Sequence, residues 1–316
     1  MSSRTTQIYD ATATARATPY AALVEALRQA TGDYANGRIV SPERLVVPLN
    51  DGGILLSMPA TAPDLAIHKL VNVCPRNGER SLATIHGQVM AFDADTGETL
   101  FILDGPTVTG RRTAAMSMLG VATLGRAAPR DVLLIGTGTQ AANHLEAIGE
   151  LYPDAHVRVR GSVPERARAF CAAHGVKVRR LEPCDDAQTP ASVDLVIALT
   201  TSRAAVYDEA PRADRLVIGV GAFTPEMIEL GSRTVLGSTL FVDDLAGAKH
   251  EAGDFLQAGV DWNTVTGIAA ALEHPASVVR ADRPVVFKSV GCAAWDLAAC
   301  RVARSTLASA HGSQPS

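Results

Sequence analysis

Residues 131–141 read Asp131-Val132-Leu133-Leu134-Ile135-Gly136-Thr137-Gly138-Thr139-Gln140-Ala141. An apolar strand runs here into Gly136-x-Gly138-x-x-Ala141 and then into a helix. That is the dinucleotide fingerprint in its required setting, with alanine as the third small residue. Gly136 allows the tight turn, Gly138 lets a pyrophosphate approach the backbone, and Ala141 lets the helix pack close to the strand. The free N–H groups and positive dipole end of that helix suit phosphate. A glycine-rich turn in another α/β protein is the alternative, and the surrounding strand–helix–strand order argues against it.

The next strand, residues 156–160, bears on the nucleotide. It reads His156-Val157-Arg158-Val159-Arg160, followed by Gly161-Ser162. An acidic residue at its end would hold a ribose 2′-hydroxyl. Arg160 and Ser162 stand there instead, with Arg166 one turn further on. Guanidinium and hydroxyl donors suit a 2′-phosphate, so the expected cofactor is NADPH, with NADH used less efficiently. Alternatively, Arg158, Arg160 and Arg166 are solvated surface charges.

Outward from this motif the chain has two grammars. Before about residue 115 it is short β-like runs around turns: 44–49 and 54–58 about Asn50-Asp51-Gly52-Gly53, then 66–73, then 88–93 and 99–103 about residues 94–98. Such turn-flanked runs predict antiparallel hairpins. Residues 20–30 have helical spacing, with Leu23, Leu27 and Ala30 on one face. From 112–124, read as a helix, apolar strands alternate with helices at 131–135, 156–160, 176–179, 194–199, 215–220, 240–242 and 284–288. Alternation with nearly all-apolar strands marks a parallel sheet covered on both faces. Residues 292–305 read as a helix and 308–316 as a frayed tail.

Composition bounds the rest. At roughly 150 residues per domain, 316 residues make two domains. Apolar residues at 47% suffice for two cores, and a net charge of −4 gives no basic field for nucleic acid or an anionic membrane. The apolar runs fall far short of the ~20 residues of a membrane helix, and the first residues lack a signal-peptide core. Five cysteines without paired spacing read as reduced thiols in a cytoplasmic protein, and no Cys/His pattern suggests a metal.

Several further segments occur in a fixed order: His68-Lys69-Leu70-Val71; Asp104-Gly105; Arg111-Arg112-Thr113-Ala114-Ala115; the loop 136–140; Phe241-Val242-Asp243-Asp244; Glu251-Ala252-Gly253-Asp254; and Val286-Phe287-Lys288-Ser289-Val290-Gly291. As an ordered set they resemble the ornithine cyclodeaminase/μ-crystallin family from about Arg44 to Arg301. The resemblance implies an α/β fold in two parts. A Rossmann-type dinucleotide-binding domain would span 116–291. A mostly antiparallel α+β substrate-binding and dimerisation domain would span 1–115 with 292–316, and the protein would be a homodimer.

The resemblance also implies roles. Lys69 and Arg112 would face the substrate, with Arg44 near its carboxylate. Arg112 can clamp a carboxylate bidentately, and a lysine within the apolar run 66–71 is costly to bury unpaired; an edge-strand lysine pointing to water is the alternative. Arg111 is expected to be the solvated neighbour. Thr84, Thr113, Gly136, Thr137, Gly138, Thr139, Gln140, Val220, Val290 and Gly291 match positions that line the cofactor. Thr84 and Thr113 read equally as ordinary hydroxyls at strand or helix ends, and Val290-Gly291 as a strand-to-helix turn. His86 is either a substrate contact or a half-buried structural histidine.

One departure discriminates between chemistries. Ornithine cyclodeaminases carry an aspartate just after the glycines of the strand that here ends Val220-Gly221-Ala222-Phe223. Phe223 occupies the nearest equivalent position and cannot act as a base. The expected activity is therefore reduction of cyclic ketimine carboxylates, Δ1-pyrroline-2-carboxylate to L-proline and Δ1-piperideine-2-carboxylate to L-pipecolate. Solvent, Lys69 and His86 stand as candidate proton donors. The rivals are an ornithine cyclodeaminase, an alanine-type amino-acid dehydrogenase and a non-catalytic crystallin-like binding protein.

Overall fold

The computed structural model describes residues 6–186, 188–275 and 282–312. The chain forms two compact units, Met1–Arg112 with Cys292–Ser316, and Thr113–Gly291.

The first unit is one six-stranded sheet with helices on it. Its strands are β1 (Gln7–Ile8), β2 (Leu45–Pro48), β3 (Ile54–Ala62), β4 (Leu65–Val73), β5 (Ile85–Phe92) and β6 (Thr99–Asp104), in the order β1-β6-β5-β4-β3-β2. All neighbours pair antiparallel except β1, which lies parallel to β6. Along β4, Leu65, Ile67, Lys69 and Val71 are buried in strict alternation, so Lys69 sits on the core face. The helices are α1 (Ala11–Ala17), N-capped by Asp10, and α2 (Tyr20–Ala35), which buries Tyr20, Leu23, Leu27 and Ala30. The final helix, Ala293–Gly312, packs on α2, β3 and β4, and its buried Trp295 meets Tyr34 edge-to-face at 5.7 Å.

Helix α3 (Gly105–Leu124) carries the chain from the first unit into the second. The second unit is an eight-stranded parallel sheet: β7 (Asp131–Ile135), β8 (His156–Arg160), β9 (Arg180–Pro183), β10 (Leu195–Ala198), β11 (Leu216–Gly219), β12 (Thr239–Val242), β13 (Val265–Gly267) and β14 (Val285–Lys288). The order is β13-β12-β14-β11-β10-β7-β8-β9. The chain reverses direction of growth between β7 and β10, the switch point at which doubly wound sheets bind ligands beyond the carboxyl ends of their strands. Strands β7, β10, β11 and β14 are buried throughout, as a sheet covered on both faces requires. The connecting helices are α4 (Thr139–Leu151), α5 (Pro164–His174), α6 (Ser232–Leu236), α7 (Leu245–Glu251), α8 (Gly253–Ala258) and α9 (Ile268–Glu273); Ala293–Gly312 is then α10.

Four local readings need correction. The strand expected at 176–179 is Arg180–Pro183, in register His156↔Arg180 to Val159↔Pro183. Val176 points into solvent, 97% exposed; it is a loop residue, and the mixed stretch Arg-Leu-Glu-Pro forms the outermost edge strand, where a proline is tolerated. Helix α3 begins at Gly105 rather than 112, and α1 carries too weak an apolar pattern to be read from sequence. Helix α10 continues to Gly312, through most of the expected frayed tail; residues 313–316 lie outside the described residues. Arg111 is buried rather than solvated: its Nε donates to the Thr18 carbonyl at 2.8 Å and its guanidinium lies 3.9 Å over the Tyr20 ring.

Helix α3 packs directly on β14 because Gly120 has no side chain. A Cβ there would stand 2.6 Å from the wholly buried Phe287 ring. Gly120→Ala should therefore lower stability by about 1–3 kcal/mol, measured by urea denaturation; an unchanged midpoint would show that the ring can yield.

Candidate active site

In the first unit, three charged groups meet in the core. Lys69 on β4 is 2% exposed, Asp296 on α10 is wholly buried, and Arg112 on α3 is 6% exposed. Lys69 Nζ lies 2.6 Å from Asp296 Oδ2, and Arg112 Nε donates to Asp296 Oδ1 at 3.2 Å. Burial holds the Lys69 ammonium down at about 8; Asp296 opposes that, while Arg112 and Arg44 add to it. Arg44 is half-buried just ahead of β2. Lys69 is thus no edge residue pointing to water. Asp296 was not among the sequence candidates. Its signal was present: one acid in the apolar run Ala293-Ala294-Trp295-Asp296-Leu297-Ala298-Ala299 has to find a partner.

His86 is not brought to this cluster. It pairs with Asn72 across β4 and β5, whereas Lys69 pairs with Val89. Alternation therefore sends His86 off the opposite face of the sheet, where it is exposed. Thr84 is exposed ahead of β5, and its carbonyl accepts from the Cys74 N–H.

In the second unit the topology gathers most of the cofactor candidates at one edge. Gly136–Gln140 follow β7, Arg160 and Ser162 end β8, Val220 follows β11, and Val290-Gly291 follow β14. These strands are all in the one parallel sheet. Gly136 has φ +127°, and a Cβ there would meet the Leu199 carbonyl at 2.7 Å. Ala141 is fully buried. Thr113 is buried on α3.

Buried acids hold this edge. Glu229 Oε2 accepts the N–H groups of Val220, Gly221 and Ala222 at 3.1, 2.6 and 3.0 Å, and Oε1 accepts that of Thr200. Lys288 Nζ lies 3.9 Å from Glu229 Oε2 and 2.9 Å from Asp254 Oδ2, and all three side chains are wholly buried. Asp254 Oδ1 takes the N–H of Leu230 at 2.8 Å and that of Glu229. Asp243 accepts from the Ser289 hydroxyl and from the N–H groups of Val290 and Gly291, at 2.8–2.9 Å. Phe223 follows the segment clamped by Glu229, in the loop after β11. A second buried pair steadies the glycine loop. His144 Nδ1 faces the Gln140 carbonyl at 2.8 Å and so carries the proton; Nε2 then accepts the Ser117 hydroxyl at 2.9 Å. Burial pushes His144 down to about 4.

The second unit fits a dinucleotide. The space where a Gly138 Cβ would stand is empty to 4 Å among the described residues. Gly138 N-caps α4 and, without a side chain, satisfies none of the helix's first N–H groups. Arg160 Nε and Gln140 Oε1 are buried atoms without a hydrogen-bond partner among the described residues. Arg158, by contrast, is engaged with Asp131 and Glu182, and Arg166 is exposed. Among the described residues no His/Cys/Asp/Glu group is arranged to hold a metal ion, and no helix is long and apolar enough to cross a membrane.

A family model described as the ornithine cyclodeaminase/mu-crystallin family matches residues 4–311. The chain is 58% identical over 301 residues to a Delta(1)-pyrroline-2-carboxylate/Delta(1)-piperideine-2-carboxylate reductase of Azospirillum brasilense, covering 95% of this chain and 96% of that protein. It is 28% identical over 286 residues to the ketimine reductase mu-crystallin of Mus musculus, covering 89% and 90%. In fold it is similar to a structure of Thermococcus litoralis Delta(1)-pyrroline-2-carboxylate reductase in complex with NADH and L-proline, with TM-score 0.87 at 24% identity over 97% of this chain and 98% of that one. The chain belongs to the ornithine cyclodeaminase/mu-crystallin family.

Proposed function

We propose that this protein reduces cyclic ketimine carboxylates, Δ1-pyrroline-2-carboxylate to L-proline and Δ1-piperideine-2-carboxylate to L-pipecolate, with NADPH as the preferred reductant. The observation that carries the reading is the buried Lys69–Asp296–Arg112 cluster in a chain 58% identical to a reductase of that name. Two cations on one acid leave a net positive charge, which an α-carboxylate cancels. Arg112 and Lys69 hold that carboxylate, with Arg44 nearby, and so fix the adjacent C=N carbon in place. When bound, a reduced nicotinamide would supply the hydride.

The chain's other groups set the conditions. Holding the reactants in register supplies much of the acceleration. A protonated C=N accepts hydride more readily, and cancelling the surplus positive charge with the carboxylate favours that form. Phe223 offers no base for a ring-closing deamination. The carboxylate of Glu229, six residues on, is occupied by four N–H groups.

Gly136–Gln140, Thr84, Thr113, Val220 and Val290-Gly291 are the proposed cofactor contacts. Arg160, with its unpartnered Nε, and Ser162 are assigned to the 2′-phosphate. The second unit is the dinucleotide-binding domain. The first is the substrate domain and pairs with a second copy of the chain. In support of that pairing, its sheet ends on β2, an exposed apolar edge bearing Leu45, Val46 and Val47. Such an edge is a template for association.

The direct test follows the absorbance of reduced cofactor with enzymatically prepared Δ1-pyrroline-2-carboxylate, beside ornithine plus NAD with ammonia detection. Proline formation without ammonia release is expected, and Arg112→Ala should lower kcat/KM by about 2–4 kcal/mol, roughly 30- to 1000-fold. Ammonia from ornithine, or unimpaired Arg112→Ala kinetics, would overturn the assignment.

Gly138→Ala should leave the unfolding midpoint in place, because its φ of −92° suits alanine and the space is open. It should nevertheless weaken dinucleotide binding about tenfold or more, read by titration calorimetry. Equal affinity would mean that no pyrophosphate passes there. Arg160→Asp should shift the NADPH/NADH ratio of kcat/KM by about tenfold or more towards NADH; a constant ratio would remove Arg160 from the 2′-phosphate.

A further inference from the structure

Asp296 meets its two cations with different oxygens and from a third element, the C-terminal helix. Its helix neighbours Ala293, Ala294, Trp295, Leu297 and Ala298 are all buried. A carboxylate in such surroundings is costly unless its charge is used. Arg112 engages it through Nε, and among the described residues no hydrogen bond occupies its Nη groups. The Nη1–Nη2 edge of a guanidinium matches a planar carboxylate, so fixing Nε leaves the more useful edge available.

We propose that Asp296 is a positioning residue for substrate binding: it keeps Lys69 an ammonium and turns the Nη edge of Arg112 outward, so that both cations serve one substrate carboxylate. This rests on the reading that Lys69 and Arg112 bind that carboxylate. The groups facing Lys69 can be named element by element. Asp296 and Cys300 come from α10, Arg112 from α3, Arg44 from the segment ahead of β2, and apolar Met58 and Val89 from β3 and β5. Burial and Asp296 push the Cys300 thiol upward, so it stays neutral. Asp296 is therefore the one negative charge in this set. Without it, a buried lysine beside two arginines gives up its proton near neutral pH, and a donor to the carboxylate becomes a lone pair that repels it.

The chain has four lysines, Lys69, Lys177, Lys249 and Lys288, so 13C-lysine labelling yields a small set of side-chain signals, with Lys69→Arg assigning the one of interest. In the unmodified protein Lys69 should titrate near 8. Asp296→Asn should lower that midpoint by about one unit or more, and the high-pH fall of kcat/KM should move down with it. Asp296→Glu keeps the charge. It should leave the midpoint near 8 while lowering kcat/KM at every pH, because the longer side chain displaces Arg112. If Asp296→Asn does not fold, the glutamate variant decides, since a midpoint that drops there overturns the proposal. An unmoved midpoint in folded Asp296→Asn also overturns it. A midpoint that moves while kcat/KM keeps its pH profile would instead remove Lys69 from substrate binding, and with it the reading on which the proposal rests.

Discussion

The segments that follow β10 and β11 at the carboxyl edge of the parallel sheet are organised around a single carboxylate. Buried loops leave backbone N–H groups that must be paired, and Glu229 pairs four of them, at Thr200, Val220, Gly221 and Ala222. This draws together the segments that follow β10 and β11, so closely that a side chain at Gly221 would strike the Thr200 backbone. A buried anion needs its own compensation. Lys288 provides it, shared with Asp254, and Asp254 in turn holds the backbone on which Glu229 is carried. Asp243 does the same for Ser289, Val290 and Gly291.

The first unit solves the problem of buried charge with the opposite balance. There one acid serves two cations, and hydrogen-bonding capacity is left over on the arginine. In the second unit acids outnumber the lysine, and backbone N–H donors engage both oxygens of Glu229 and Oδ1 of Asp254. The network of the second unit shapes backbone, whereas the cluster of the first carries two cations on one acid, which suits the α-carboxylate of the proposed substrate.

Much of this was legible in the sequence where the signal is local. The bounds of β7 follow from an apolar run ending at Gly136, those of β8 from the alternating Val157 and Val159 ahead of Gly161, and the burial of Ala141 from its place in the fingerprint. Lys69 was legible because a charge inside an apolar run demands a partner, and Arg112 through the family resemblance of the segment 111–115. The identity of that partner was not, since Asp296 reaches them only after the last helix packs back on β4. Likewise Lys288, Asp254 and Glu229 are far apart in sequence, and no spacing rule joins them. Arg111 read as solvated because its partners, the Thr18 carbonyl and the Tyr20 ring, lie some ninety residues away. The edge strand β9 was misplaced because exposed strands lack the apolar run that marks buried ones.

The Ser117–His144 pair has a consequence for how the two units respond to acid. A histidine held at about 4 by burial stays neutral, with its tautomer fixed by the Gln140 carbonyl, throughout the range in which most histidines change charge. The first turn of α4, against which the glycine loop is built, is therefore electrically silent from mildly acidic to alkaline conditions. In the first unit, by contrast, the Lys69 ammonium, held at about 8 by burial, gives up its proton on the alkaline side of neutrality. On the proposed assignment, the histidine behind the dinucleotide loop keeps its charge state from mildly acidic to alkaline conditions, while the carboxylate site loses a positive charge as the pH rises through about 8.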